Sequence, residues 1–549
     1  MTSRKDMRHP STPELADNSF LIVEDYEGMR GILRDILNRA GASRITFAVN
    51  GQDAIAQLER HSFDAVLCDL HLGQGLNGQQ VLEEARHRQL LPPQAVWLMV
   101  SAEKAAEMVT GTVESRPDDY LIKPITETLL FTRLARQMAR KKSLAPIEQA
   151  MRDREYLKAL NLTEAQLTQA NPHAWDLKRL KADLALHTGN HSHARDVYQE
   201  ALSQRDLPWA HLGLAKIHYL EGHYDDARRE LEKVTKGNRA YLEAHDWLAR
   251  ALDKLGDLDG AQAVLTRALT TSPRAPLRQG HLGEVAYRRG DLKTAAQAFQ
   301  RNVELARLTP LKSPDPYLWL SRVNLDLGNK DDALRALSEL AIDLREDGTA
   351  RLLARAMEIP VRLKVGETER AEKLAAELAP ELRNQAHELP PEALLDLAPP
   401  LMTLGDKATA ESLLTSLVGN NHEHPEYLER AQAVYAQAGM EQEGREVVSR
   451  TTRAAMDIMN KGVKLAREGK LDEAIAMTRE ARERMPNNPR LLLNHAYLLI
   501  AWMEKFGRDI SVALEARGCI ETARRLKPSE KRAGELMTKL ELVGNDFGG

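Results

Sequence analysis

Phe20-Leu21-Ile22-Val23-Glu24-Asp25 and, forty-five residues on, Ala65-Val66-Leu67-Cys68-Asp69 decide how the first quarter of this chain folds. Each is a continuous apolar run ending abruptly in carboxylates. An amphipathic strand would alternate, whereas a strand buried on both faces of a parallel sheet is apolar throughout. Three further runs have the same character: Ile45-Thr46-Phe47-Ala48, Val96-Trp97-Leu98-Met99-Val100 and Tyr120-Leu121-Ile122. Helix-length segments lie between them, such as Met29–Arg39 with Ile32, Leu33, Ile36 and Leu37 at helical spacing, and Gly51–Arg60. Alternating strand and helix predicts an α/β doubly wound, five-stranded parallel sheet over roughly residues 20–140.

In such a sheet ligands bind beyond the carboxyl ends of the strands. Those ends carry Glu24 and Asp25, then Asp69, then Ser101, then Lys123-Pro124. Carboxylates that meet repel one another unless a cation holds them, and an oxygen-only donor set suits Mg²⁺. Lys123 adds a compact positive charge, and Ser101 a hydrogen-bonding hydroxyl. Such a rim can stabilise a phosphoryl group being transferred to a carboxylate.

These motifs in this order (LIVED, VLCDLHL, LMVSA and DDYLIKP) resemble the receiver domain of two-component response regulators. The resemblance implies a flavodoxin-like, CheY-like fold and phosphotransfer to the chain itself rather than enzymatic turnover of a substrate. It makes Asp69 the phosphoacceptor and gives Mg²⁺ to Glu24, Asp25, Asp69 and the backbone carbonyl of His71. It assigns Ser101 and Lys123 to the phosphoryl group, Tyr120 to the aromatic switch, and His71 and Glu103 to tuning of dephosphorylation. The loop after the third strand, HLGQGLNG, is one residue longer than the family's and lacks its methionine–proline. Cys68 reads as a buried strand residue, not a redox sensor.

Beyond Lys142 the strand signals stop and a repeat begins. Gly189, Gly222, Gly256, Gly290, Gly328, Gly366, Gly405 and Gly469 are each followed five residues later by alanine, at successive steps of 33, 34, 34, 38, 38, 39 and 64. The long step hides a unit at Gly439, where Gly444 replaces the alanine, and a glycine-less unit begins at Arg154. Small residues also recur seven positions before most turn glycines, among them Ala182, Ala215, Ala249, Gly283 and Ser321. A helix, a left-handed glycine and a second helix with a small residue at the crossing explain this pattern. The unit resembles the tetratricopeptide repeat, which implies an all-α superhelix over residues 151–541, with about nine to eleven hairpins. Prolines predict irregularity near 305–316 and 380–405.

The expected organisation is therefore a flexible tail over 1–18, the receiver over 19–142, a linker over 143–150, the repeats, and a tail over 542–549. Groove-lining candidates, counted back from the turns, are Arg179, Asp183, Lys216, Tyr219, Asp246, Arg250, Glu284, Tyr287, Arg288, Arg322 and Asp326; their mixed signs indicate neither an acidic nor a basic ligand. The asparagine with which chaperone-binding members clamp a carboxylate is absent. His187, His191 and His193, like His422 and His424, read as surface histidines rather than metal ligands.

The chain has 549 residues, 43% hydrophobic and 28% charged, a formal net charge of −4 and two cysteines. A disulfide scaffold, a global basic field for nucleic acid and a membrane span are excluded as expectations, and a reducing, cytoplasmic setting is predicted. The two-part design resembles the inhibitory regulator of the Vie signalling system. It implies a sensor histidine kinase or phosphotransfer protein as phosphodonor, a protein bound by the solenoid, and a homodimer through the receiver face. The alternative is a scaffold whose receiver only docks to a kinase.

Overall fold

The computed structural model describes residues 15–102, 117–168, 173–237, 241–307 and 312–545. Five parallel strands, β1 (Ser19–Val23), β2 (Arg44–Ala48), β3 (Ala65–Asp69), β4 (Val96–Ser101) and β5 (Asp119–Ile122), lie in the order β2-β1-β3-β4-β5. The pairing is in register across the sheet: Val23 lies beside Ala48 on one side and Cys68 on the other, and Asp69 beside Val100. Helices α1 (Glu27–Arg39), α2 (Gly51–Arg60), α3 (Gly78–His87) and α4 (Glu127–Arg152) flank it. Asn50 and Asn77 cap α2 and α3, the latter with a full capping box to Gln80.

Successive residues of each strand feed opposite cores. Phe20, Ile22, Leu67 and Leu98 pack with Leu33, Leu37 and Leu134, whereas Leu21, Val66, Trp97 and Met99 pack with Leu58, Val81 and Leu82. Leu15 is 1% exposed in the first of these cores, and its N–H donates to the Ala40 carbonyl at 3.2 Å. The expected tail is thus corrected at its end: residues 15–18 belong to the domain because one leucine completes the core.

The linker expected over 143–150 is corrected too. α4 runs unbroken for 26 residues through Pro146. Proline removes one backbone hydrogen bond, but Leu144, Ile147 and Ala150 are buried in a core shared with the solenoid, and that burial offsets the loss. The receiver's last helix is therefore also the first helix of the repeats. Arg154, with φ of 61°, makes the turn that glycine makes elsewhere.

From α4 to Leu526 the helices pair as eleven hairpins, followed by a last helix, Lys531–Asn545, which runs into the segment expected as a tail. Nine turn glycines from Gly189 to Gly469 have φ between 72 and 85°, a region open to glycine at little cost. All eight predicted alanines are fully buried. Gly444 replaces the ninth because a Cβ there would stand 2.5 Å from Tyr435; Gly283 makes the same concession to Phe299, at 2.7 Å.

The proline-rich stretch behaves differently from expectation. Pro391–Thr403 stays helical through Pro399 and Pro400, and one core runs without interruption from Ala333 to Val448, so there is no boundary there. Pro390 and Pro391 occupy the start of the helix, where the missing N–H costs little. The break lies instead at Met357, between Gly348–Ala356 and Glu358–Lys364, because Pro360 has no N–H to offer the Ala356 carbonyl. At 305–316 the described residues show one helix ending at Ala306 and the next starting at Asp315. In contrast, Glu441–Arg467 is a single 27-residue helix serving two hairpins.

The two ends of the solenoid meet. Leu144, Ile147, Tyr156 and Leu177 share a core with Leu498, Ile520, Met537 and Leu540. The Glu541 carboxylate accepts the N–H groups of Tyr156 and Leu157 at 3.0 and 2.6 Å, capping the helix Tyr156–Leu167 from the far end of the chain. Arg524 donates to the His187 carbonyl at 2.9 Å, and Gly534 packs so tightly on the Gly189 turn that a Cβ would lie 1.6 Å from the Thr188 carbonyl oxygen.

Candidate functional site

The strand order changes direction between β1 and β3, so the crevice of the sheet opens where Glu24, Asp25 and Asp69 emerge. Each brings a carboxylate oxygen within 4.8 Å of the others. Glu24 and Asp69 are buried, at 1% and 7% exposure, and Asp25 is exposed. Lys123, from the end of β5, reaches across to both buried carboxylates, with Nζ 2.6 Å from Asp69 Oδ2 and 2.8 Å from Glu24 Oε2. One ammonium thus faces three carboxylates, leaving an excess of negative charge in a partly dry crevice.

The ionisation follows from that arrangement. Burial raises the Glu24 carboxyl above its usual range in spite of the Lys123 hydrogen bond, and the Asp69 charge adds to the rise. Burial works against the Lys123 ammonium, but its hydrogen bonds to Asp69 and Glu24 prevail and hold it charged. Burial also raises the Cys68 thiol, with Asp69 and Glu24 adding to the effect. Fully enclosed, Cys68 is the strand residue the sequence suggests.

The backbone around the crevice is fixed by specific donors. Arg30 Nη1 donates to the carbonyls of Glu24 and Asp25 at 2.8 and 2.9 Å, pinning the loop after β1. The His71 N–H donates to Asp69 Oδ1 at 3.2 Å. Gly78 sits against the Asp69 carbonyl, where a Cβ would clash at 2.0 Å. Ser101 is fully buried at the end of β4, and its carbonyl accepts the Lys123 N–H at 2.8 Å. Tyr120 pairs with Met99 across β4–β5 and packs, half-buried, on the core that contains Trp97 and Met99. Glu103 and the helix expected between β4 and β5 lie outside the described residues.

Of the residues singled out from sequence, then, Glu24, Asp25, Asp69 and Lys123 are brought together directly, with His71 joined through its backbone. An oxygen-only trio of this kind, with open sides, has the donor chemistry of a Mg²⁺ site.

Most of the solenoid's groove candidates are engaged by partners within the solenoid itself. Asp246 accepts from Arg278 at 2.6 and 2.8 Å, Lys216 donates to Glu243 at 2.6 Å, and Tyr287 donates to Asp326 at 2.8 Å. Arg322 pairs with Asp396, and Arg288 with Asp253 at 2.5 Å. Arg179 and Asp183 line a cavity of about 870 Å³ against the receiver, with Arg86, Asp118 and Arg140. Two histidines read as surface residues are buried, His191 at 5% and His422 at 8% exposure; Asn488 meets His422 Nδ1 at 2.8 Å. The sequence gives no periodic signal for such interior polar pairs.

Comparison with known proteins matches this division. The response regulator receiver domain model matches residues 20–135, and tetratricopeptide repeat models match 149–207 and 219–282. The chain is 30% identical over 114 residues to the chemotaxis protein CheY-3 of Vibrio cholerae, covering 21% of this chain and 86% of that protein. Among solved structures, the receiver domain of the sensor histidine kinase PA1611 from Pseudomonas aeruginosa, with magnesium in its active-site cleft, is 25% identical, with a TM-score of 0.20, over 22% of this chain and 98% of that one. The repeat protein MamA is 19% identical, with a TM-score of 0.28, over 30% and 95%. No helix among the described residues is long and apolar enough to cross a membrane. The chain belongs to the response regulator receiver family, and its receiver is joined through a shared helix to a tetratricopeptide-repeat solenoid.

Proposed function

We propose that this protein is a phosphorelay response regulator whose Asp69 accepts a phosphoryl group from a histidine kinase or phosphotransfer protein, and whose solenoid acts on a partner protein. The observation that carries the reading is the contact of Lys123 with Asp69 and Glu24, beside Asp25, in one crevice. The Asp69 carboxylate oxygen forms the new P–O bond as the P–N bond of the donor phosphohistidine breaks, and the bonding pair leaves with the imidazole. Lys123, already on Asp69 Oδ2, accompanies the charge that develops on the phosphoryl oxygens. Glu24, Asp25 and Asp69, with the His71 carbonyl, would hold Mg²⁺, which when bound supplies further charge neutralisation. By the resemblance to receiver domains, Ser101 hydrogen-bonds a phosphoryl oxygen, Tyr120 follows it, and His71 and Glu103 govern access of water.

The phosphoryl group adds about −1.5 to −2 charges at neutral pH. The signal has a short way to travel. At the start of β5, Asp118 pairs with Lys141 at 3.4 Å, Lys141 pairs with Glu148 at 3.2 Å, and Asp119 accepts from Arg133 and Gln137, each at 3.1 Å. Arg140 donates to Asp176 of the next hairpin at 2.9 Å. All four partners of these carboxylates lie on α4, which continues into the first hairpin. A shift of β5 therefore bears on solenoid residues without crossing a linker.

Incubation of the full chain with Mg²⁺ and phosphoramidate should add one acid-labile phosphoryl group. Asp69→Ala should add none, and chelation should abolish labelling. Equal labelling of Asp69→Ala contradicts the assignment, and an unlabelled wild type favours the non-switching scaffold.

A further inference from the structure

The turn at Gly222 differs in composition from four of its counterparts. In four other turns the residue after the glycine is Asn190, Asp257, Asp291 or Asp406, whose side chain accepts the N–H three residues on. Each such cap contributes about 1 kcal/mol. At Gly222 that position holds His223, preceded by Glu221 and, in the last turn of Pro208–Leu220, by His218. A φ of 82° at Gly222 lets the chain double back, so that the His223 N–H donates to the His218 carbonyl at 2.8 Å. His218, Glu221 and His223 thereby bring one ligand atom each to within 4.8 Å of one another.

Two orphaned imidazole nitrogens point to what the cluster is for. His218 Nδ1 is buried without a hydrogen-bond partner. So is the Nδ1 of His191, a residue 5% exposed, whose ring stands 3.9 Å from the Glu221 carboxylate. A buried polar atom left unpaired costs about 1–3 kcal/mol, and both of these histidines stand beside Glu221.

We propose that His218, Glu221 and His223 bind a divalent transition-metal cation of the zinc class, through two imidazole nitrogens and one carboxylate oxygen. Nitrogen-rich sets of this kind favour such ions over Mg²⁺ or Ca²⁺, and three protein ligands leave a position open. Two cations bear on Glu221. Arg195 Nη2, at 2.6 Å, holds one oxygen from outside and orients the carboxylate, as outer partners of ligands do. Lys531 Nζ, at 3.6 Å and largely exposed, comes from the last helix and is the group the metal displaces. The site thus sits on the seam where the solenoid closes.

The test uses the untagged full chain carrying Asp25→Ala, which weakens the receiver's oxygen site, and Co²⁺ as the probe. One equivalent should bind with the visible absorption of nitrogen-ligated Co²⁺, be displaced by Zn²⁺, and resist excess Mg²⁺. His218→Gln and His223→Gln should each weaken binding by at least about tenfold. His223 is 61% exposed, so its substitution leaves packing intact and keeps the result decisive if His218→Gln disturbs the fold. Absence of the band, full affinity in His223→Gln, or displacement by Mg²⁺ as readily as by Zn²⁺ would overturn the proposal.

Discussion

In the receiver, Asp69 and Lys123 are 54 residues apart and meet at 2.6 Å, and carboxylates, an ammonium and a hydroxyl each contribute a different chemistry to one crevice. In the solenoid, Ala194, Ala227, Ala261 and Ala295 are the same residue doing the same thing, fully buried at one helix crossing after another. A site made of unlike residues fails when one is changed, because no other supplies its chemistry. A fold made of like residues loses a fixed amount per change, since each repeat packs only on its neighbours. This solenoid departs from that rule most widely where its ends join and a local change acquires distant partners.

The largest stability effect should come from Phe299, which is 1% exposed, stacks on Trp319 at 5.6 Å and fills the notch left by Gly283. Phe299→Ala should cost about 3–5 kcal/mol, visible in urea unfolding of the repeats while phosphoryl acceptance at Asp69 persists. Loss of phosphorylation in the same variant would break the separation between the two regions.

The seam is next. Glu541→Ala removes the acceptor for two N–H groups, one on the buried Tyr156. A loss of about 1–3 kcal/mol is expected, with faster hydrogen exchange in helix Tyr156–Leu167 as well as in the last helix. Faster exchange in the last helix alone would show that closure contributes nothing to the first hairpin.

A turn glycine should give less. Gly256 has φ of 80° and open space around its Cα, so Gly256→Ala meets only the backbone penalty, about 1–2 kcal/mol. The same substitution at Gly534 should be far worse because a carbonyl occupies the Cβ position. Equal costs at the two sites, measured by thermal melting, would contradict the seam.

The smallest effect is one of pH. Burial, with the Arg524 charge, lowers the His187 imidazole from 6.5 to about 4. A depressed histidine favours the folded state above its unfolded pKa, and that contribution is lost as pH falls from 6.5 through about 4. His187 is open enough to solvent that screening keeps the effect below about 1 kcal/mol. His187→Gln should flatten the pH dependence of seam exchange in that window; an unchanged profile would exclude His187 as its source.

The receiver crevice was legible because strand ends carry their site residues in adjacent positions: an apolar run ending in Glu24-Asp25 states both the strand and its cargo. The turn glycines and buried alanines were legible for the same reason of fixed local spacing. Pro146 misled, since a helix break is a local preference that the burial of Leu144, Ile147 and Ala150 overrides. The seam and the Gly222 cluster left no period to read. Glu541 caps an amide 385 residues away, and Lys531 reaches Glu221 from the last helix.

If Asp69 is the phosphoacceptor of a phosphorelay regulator, its state is felt in the solenoid through α4. Hydrogen exchange of the full chain, with and without a phosphoryl mimic such as beryllofluoride, tests it directly. Protection should change in β5, along α4 and in residues 156–189, with a differential of about 1–3 kcal/mol, and none of it should appear in Asp69→Ala. Changes confined to the loops around Asp69, with 127–189 unmoved, would contradict it.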